Sequence, residues 1–126
     1  PALKAFFKSI EETGKVAIHF KYNNINRLEQ SVEFNIYRVI GELTSNSLKH
    51  GNPKNIYVIL EKSEDKLIVE YTDDGKGFNV ELEMSKNKGM GLHNIIQRIR
   101  SNDGIVDFKS TSGTGMQAKI EVPLKK

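Results

Sequence analysis

The sequence predicts an α+β fold, a two-layer α/β sandwich with about three helices on one face of a mixed, about five-stranded sheet. Three features predict it. Three segments carry apolar residues at helical spacing, and five short runs are rich in β-branched and aromatic residues. The helical segments also recur between groups of strands, as they do where helices cover one side of a sheet. The 126 residues suffice for one compact domain with a real core and not for two. No repeat, low-complexity tract or linker interrupts them, so residues 1–126 read as one domain.

The elements follow in order. In ALKAFFKSIEETG, Leu3, Phe6, Phe7 and Ile10 lie at helical spacing, and Gly14 is placed to end the helix. KVAIHFKY alternates as a half-buried strand does, with Val16, Ile18 and Phe20 on one side. After the polar NNINR a long helix is expected from about Ser31, a candidate N-cap, to His50, with Gly51 as its stop and Pro53 beyond. NIYVILEK and KLIVEYT are strand-like, and the turn SEDK joins them as a hairpin. The loop TDDGKGF and a polar segment, 79–88, come next. In GLHNIIQRIR, Leu92, Ile95, Ile96 and Ile99 form one helical stripe. GIVDFKST, the turn SGTG and MQAKIEVPL form a second hairpin.

Composition narrows the function. The net charge is +3, from 19 basic and 16 acidic residues, and the basic residues are dispersed. A nucleic-acid face shows a clustered basic stripe, so no nucleic-acid partner is expected, whereas an anionic small molecule is allowed. Cysteine is absent, which excludes disulfides and thiolate metal sites and is compatible with a reducing compartment. No apolar run approaches membrane-spanning length, so no membrane contact is expected of these residues, and the N-terminus lacks a signal-peptide pattern.

Three motifs could carry chemistry. Glu42, Asn46 and Lys49, at i, i+4 and i+7, align on a helix face beside the core stripe of Ile36, Ile40, Leu43 and Ser47. A carboxylate, an amide and an ammonium in one row can hold a divalent cation, a water and a phosphate, and the oxygens suit Mg²⁺. An ordinary solvated Glu–Lys face is the plain alternative. The loop TDDGKGF sets two aspartates and two glycines where a strand ends. A dinucleotide fingerprint would need a third glycine at position 80, which is Val80. Glu70, Thr72, Asp74, Gly75 and Glu81 mimic part of a calcium loop, but that loop follows a helix and begins with Asp. A plain Asp-Gly turn also remains. Gly89 and Gly91 open an amphipathic helix, whose free N–H groups and dipole favour an anion, so phosphate belongs there rather than against two aspartates. His19 reads as a surface or sheet-packing residue. His50 lies near a helix end, where a cation suits the dipole, and neither these two nor His93 has metal-ligand partners nearby in sequence.

In order, E-x-x-x-N-x-x-K on a helix, DDGKG after a strand, GMGL opening a helix and SGTG between strands resemble a known ATP-binding domain. Sensor histidine kinases, DNA gyrase, heat-shock chaperones and mismatch-repair ATPases share it as the GHKL superfamily, with its Bergerat-type fold. The resemblance covers essentially the whole chain. YRVIGELTSNSLKHG is similar to the histidine-kinase N box, DDGKGF to the first glycine box and GMGLHNIIQRIR to the second. The LKH after Asn46, the short segment between glycine boxes and the GLHNIIQRI helix look most like the bacterial group related to nitrate sensors and membrane-fluidity sensors.

The resemblance implies ATP and Mg²⁺ as ligands. By it, Asn46 would ligate Mg²⁺, Lys49 would approach the phosphates and Glu42 would orient or activate an attacking group. Asp73 would accept a hydrogen bond from the adenine amino group, with Gly75 and Gly77 letting the base lie close. Asp74 stands where many relatives carry Asn. Gly89, Met90, Gly91 and Leu92 would wrap the triphosphate, residues 79–88 would form a mobile lid, and His50 would neighbour the nucleotide. Relatives usually read G-x-G-T in the last glycine motif, with the Thr on the adenine side. Here Gly113 and Gly115 are kept, Met116 takes the Thr position, and Thr114 is the substitute hydroxyl.

The implied function is transfer of the γ-phosphoryl group to a histidine on a separate helical dimerisation domain. The parent would be a homodimer that passes the phosphoryl group to a response regulator in two-component signalling. The phosphoacceptor helix is not among these residues, so the chain reads as a cytoplasmic domain excised from a membrane-anchored parent. Two alternatives share the boxes: an anti-sigma-factor serine kinase, and an ATPase that acts as a nucleotide-driven switch.

Overall fold

The computed structural model describes residues 2–23, 28–77, 91–110 and 115–124. Its elements are α1 (Ala2–Glu11), β1 (Ala17–Asn23), α2 (Gln30–Asn46), a π-helical turn (Ser47–Gly51), β2 (Asn55–Ser63), β3 (Lys66–Asp73), α3 (Leu92–Arg100), β4 (Ile105–Ser110) and β5 (Met116–Pro123). The strands form one mixed sheet in the order β1-β2-β3-β5-β4. β1 and β2 run parallel, because α2 carries the chain back between them, and every other pair is antiparallel. Among the described residues, three α-helices and a five-stranded sheet make the α+β architecture expected from the periodicity.

Alternation builds the core. Ile56, Val58 and Leu60 of β2, Leu67, Val69 and Tyr71 of β3, and Ala118, Ile120 and Val122 of β5 point to one side. There they meet Val32, Ile36, Val39, Ile40 and Leu43 of α2 and Leu92, Ile95 and Ile99 of α3. α1 is fastened to β1 by Phe7, whose ring meets Phe20 edge-on at 5.1 Å. The opposite face of the sheet is open, and on it His19 stacks against Tyr57 with ring centroids 4.6 Å apart. The hairpin turn at Glu64 and Asp65 has Glu64 at φ +56°, which lets Ser63 and Lys66 pair directly.

Two expected helix ends fall elsewhere. α2 begins at Gln30, and its N-cap is Glu29, with an extended backbone and no side-chain cap. Ser31 lies inside the first turn, its hydroxyl 3.5 Å from the Glu29 carboxylate. Leu28 packs on the core one turn before Val32 and draws the intervening residues into the helix. At the other end the α-helix does not run to His50. It widens after Asn46 into the π turn, and the left-handed cap is Asn52 (φ +48°), whose N–H bonds Ser47 O at 3.1 Å, rather than Gly51. Gly51 is needed for its backbone: its carbonyl accepts Lys76 N–H at 2.8 Å.

Leu43 is fully buried at the centre of the helix–sheet contact. Leu43→Ala is expected to lower stability by about 2–5 kcal/mol, measured by urea unfolding.

Candidate functional site

Asp73 is the last residue of β3 and points to the buried side of the sheet, where a carboxylate needs hydrogen-bond partners. They come from three directions. The Ser47 hydroxyl donates to Oδ2 at 2.5 Å, and Gly75 N–H donates to Oδ1 at 2.9 Å. Ser47 Oγ lies 2.6 Å from Tyr71 Oη, and because the serine proton is given to Asp73, the phenol is the donor of that contact. Tyr71 also reaches Leu43 O at 3.3 Å. Burial, reinforced by the Asp73 charge and opposed by the side-chain bonds, pushes the Tyr71 phenol well above its ordinary value. Tyr71 therefore stays protonated and remains a donor.

Glycines permit the close approaches around this carboxylate. A Cβ on Gly75 would stand 2.5 Å from Gly51 O, and one on Gly115 (φ +85°) 2.3 Å from Asp73 O. Asp73 thus lies between the π turn and the start of β5, directly paired with Met116. Asn46, Ser47, His50, Gly51, Asp73, Gly77 and Met116 line a narrow pocket of ≈ 10 Å³. On the far side of the Asp73–Met116 pair a cavity of ≈ 310 Å³ is lined by Thr72, Lys109, Ser110, Gly115 and Gln117 as well.

The helix row divides. Asn46 is buried in the Asp73 pocket, whereas Glu42 lines a separate cleft of ≈ 290 Å³ between α2 and α3, with Arg38, Asn94 and Arg98. There its carboxylate lies against Gly91: a Cβ on that glycine would come 2.2 Å from Glu42 Oε1. Gly91 (φ +72°) caps the N-terminus of α3, so the negative charge beside this terminus comes from Glu42. Lys49 is exposed and lines none of these three cavities, whereas His50 lines the pocket with Asn46. Leu92 is buried in the core, so it could meet a ligand through its backbone only. Gly89, Met90, Thr114 and the expected lid, 79–88, lie outside the described residues.

Three residues escaped the sequence reading of the site. Ser47 and Tyr71 were countable beforehand as polar groups on buried stripes, Ser47 one turn after Leu43 and Tyr71 two residues before Asp73, and buried polar groups are hydrogen-bonded. Asp74 is the third. Period 2 turns it away from Asp73, and Oδ1 accepts Lys54 N–H at 2.8 Å and Asn55 N–H at 2.9 Å while Oδ2 accepts Asn55 Nδ2 at 2.9 Å. It fastens the start of β2 to the end of β3.

With this geometry in place, the comparisons with known proteins are direct. The chain belongs to the histidine kinase-, DNA gyrase B-, and HSP90-like ATPase family, whose model matches residues 31–126. It is 31% identical to the sensor histidine kinase ComP of Bacillus subtilis, over 97% of this chain and 16% of ComP. It is 35% identical to the signal transduction histidine-protein kinase/phosphatase DegS of the same organism, over 98% of this chain and 34% of DegS. The chain thus spans a third or less of each of these relatives apart from a margin in DegS. Its fold matches the Erythrobacter litoralis EL346 blue-light activated histidine kinase with a TM-score of 0.76 at 20% identity, over 97% of this chain and 40% of that one.

The bonds from the Asn55 side chain, then from the Asn55 and Lys54 backbone, hold the Asp74 carboxyl below the usual carboxylate range. A lowered folded-state pKa stabilises above the unfolded value, about 3.9, and that stabilisation is lost as pH falls through the folded value. Asp74→Asn can keep both backbone bonds through its single carbonyl. It is therefore expected to lower Tm by a few degrees at neutral pH, less than Asp74→Ala does, with the difference from wild type closing in acid; thermal unfolding against pH measures this.

Proposed function

We propose that this chain is the ATP-binding catalytic domain, residues 1–126, of a sensor histidine kinase. It holds Mg-ATP and presents the γ-phosphoryl group to a histidine on a helical dimerisation domain of the same, homodimeric kinase, with a response regulator downstream. The observation that carries the proposal is the buried, hydrogen-bonded Asp73 in one pocket with Asn46, in a chain of this ATPase family. The relatives named above as histidine kinases direct it to that chemistry rather than to a serine kinase or a switch. The nearer kinship with nitrate and membrane-fluidity sensors rests on LKH after Asn46 and on GLHNIIQRI. No helix among the described residues is long and apolar enough to cross a membrane. A cytoplasmic position beneath a membrane-anchored parent is part of the proposal.

The side-chain roles are those the motif resemblance implies, and the shared pocket of Asp73 and Asn46 supports theirs. Asp73, fixed by Ser47 and Gly75, accepts from the 6-amino group of adenine, and Met116 beside it offers an apolar surface to the base. Gly75 and Gly77 admit the base. Asn46 and Lys49 serve the metal and the phosphates, with His50 and residues 89–92 around the nucleotide, Thr114 near the base and 79–88 as the lid. Mg²⁺ takes few protein ligands and keeps several waters, and Asn46 would be one such ligand. When bound, the ion neutralises phosphate charge. Glu42, beside the α3 N-terminus, orients the attacking group. Positioning, rather than covalent chemistry, is what these residues supply.

Titration calorimetry is expected to show ATP and ADP binding well above GTP, with Mg²⁺ strengthening the triphosphate. Asp73→Asn, which loses the charge that accepts from the amino group, is expected to weaken ATP by roughly 10–100-fold while the far-UV circular dichroism stays native. Equal affinity for ATP and GTP would remove the base-reading role.

Phosphotransfer is tested by mixing the chain with a dimerisation domain that carries the acceptor histidine and with labelled ATP. An acid-labile, base-stable label on that domain is expected, and Asn46→Asp is expected nearly to abolish it. An acid-stable label on an added protein serine would assign the chain to the serine kinases instead.

A further inference from the structure

The structure assigns Ser47 and Tyr71 as positioning residues that set the orientation of the Asp73 carboxylate and so the choice of purine. This rests on the proposed reading of Asp73 as the adenine-facing group. The geometry that carries it is a continuous hydrogen-bonded chain. Tyr71 Oη donates to Ser47 Oγ (2.6 Å), and Ser47 Oγ donates to Asp73 Oδ2 (2.5 Å). Oδ1 is held from the other side by Gly75 N–H (2.9 Å).

Each hydroxyl has one proton: Ser47 gives its own to the carboxylate, and Tyr71 points its own to Ser47 at 2.6 Å, with a longer secondary contact to Leu43 O at 3.3 Å. Asp73 therefore presents acceptor lone pairs only, and the plane of its carboxyl group is fixed at two points. A carboxylate held in this way rewards a purine with an amino donor at C6 and repels one with a carbonyl oxygen there. Released from Ser47, it can turn about χ2, a soft torsion, and the difference between the two purines shrinks. All three residues are buried, so water does not readily take the place of the missing hydroxyl. Ser47, the first residue of the π turn, still lies on the α2 core stripe and lines the same pocket as Asp73 and Met116. Tyr71 is on the same strand and face as Asp73, two residues earlier.

The test is the ratio of affinities for ATP and inosine triphosphate, which differ at C6 by an amino group against a carbonyl oxygen. Wild type is expected to favour ATP. Ser47→Ala is expected to reduce the ATP-to-inosine-triphosphate ratio by about tenfold, the scale of one charge-assisted hydrogen bond. Tyr71→Phe, which leaves Ser47 able to donate, is expected to reduce it by about threefold, the scale of a neutral bond, and Ser47→Thr to restore it. A general loosening of the fold would weaken both nucleotides alike and leave the ratio in place. If wild type binds neither nucleotide, or both equally, the reading of Asp73 fails. If wild type discriminates and both Ser47→Ala and Tyr71→Phe keep the wild-type ratio, that reading stands and the positioning role is overturned. Should Ser47→Ala not fold, the ratio for Tyr71→Phe decides.

Discussion

A carboxylate at the inner end of a sheet strand is costly to bury, and this fold is arranged around meeting that cost at Asp73. The residue cannot be satisfied by its own strand. It draws a hydroxyl from the helix layer through Ser47 and a backbone N–H from its own loop through Gly75. Those contacts bring the π turn and the loop after β3 to one point, which the pairing of Asp73 with Met116 places beside the start of β5. Gly75 and Gly115 are glycines because a Cβ at either would collide with backbone that the arrangement requires to be close. The same carboxylate that gives the pocket its acceptor is thus the tie between the two layers of the sandwich.

The neighbouring aspartate shows how one step along a strand separates two duties. Asp73 and Asp74 are chemically alike, but the pleat sends the first inward to the pocket and the second outward to the backbone of Lys54 and Asn55. Asp74 is exposed, where its bonds organise the strand end at less cost in lost hydration than the buried Asp73 bears. Two adjacent acids in a glycine-rich loop therefore do not compete for one ligand.

Periodicity made most of the fold legible. The core stripe of α2, the Leu92–Ile95–Ile99 face of α3 and both hairpins follow from spacing alone, and the resemblance of the N box and the first glycine box to those of a known family marked Asn46 and Asp73 as belonging to one site. The end of α2 was not legible in this way. Nothing in SNSLKHG distinguishes an α from a π turn, since the choice is made by tertiary contacts, the Gly51 carbonyl reaching Lys76 and Ser47 reaching Asp73. Ser31 looked like a cap because Ser favours that position, but packing of Leu28 outweighed a local preference worth about 1 kcal/mol. The hydroxyls of Ser47 and Tyr71 passed as core filler because spacing reports which side a residue faces and not what it bonds.

The sheet order has a consequence for how the molecule is made. β5 is the last of the described strands in sequence but lies inside the sheet, between β3 and β4, and it brings Met116, with Gly115 just before it, to the Asp73 site. While this stretch of chain emerges from a ribosome, β1, β2 and β3 can assemble early, yet β3 keeps an open edge and Asp73 an unfinished wall until β5 arrives. The pocket around Asp73 therefore closes only after residues 115–123 have left the ribosome, although four of the five strands that frame the sheet precede them.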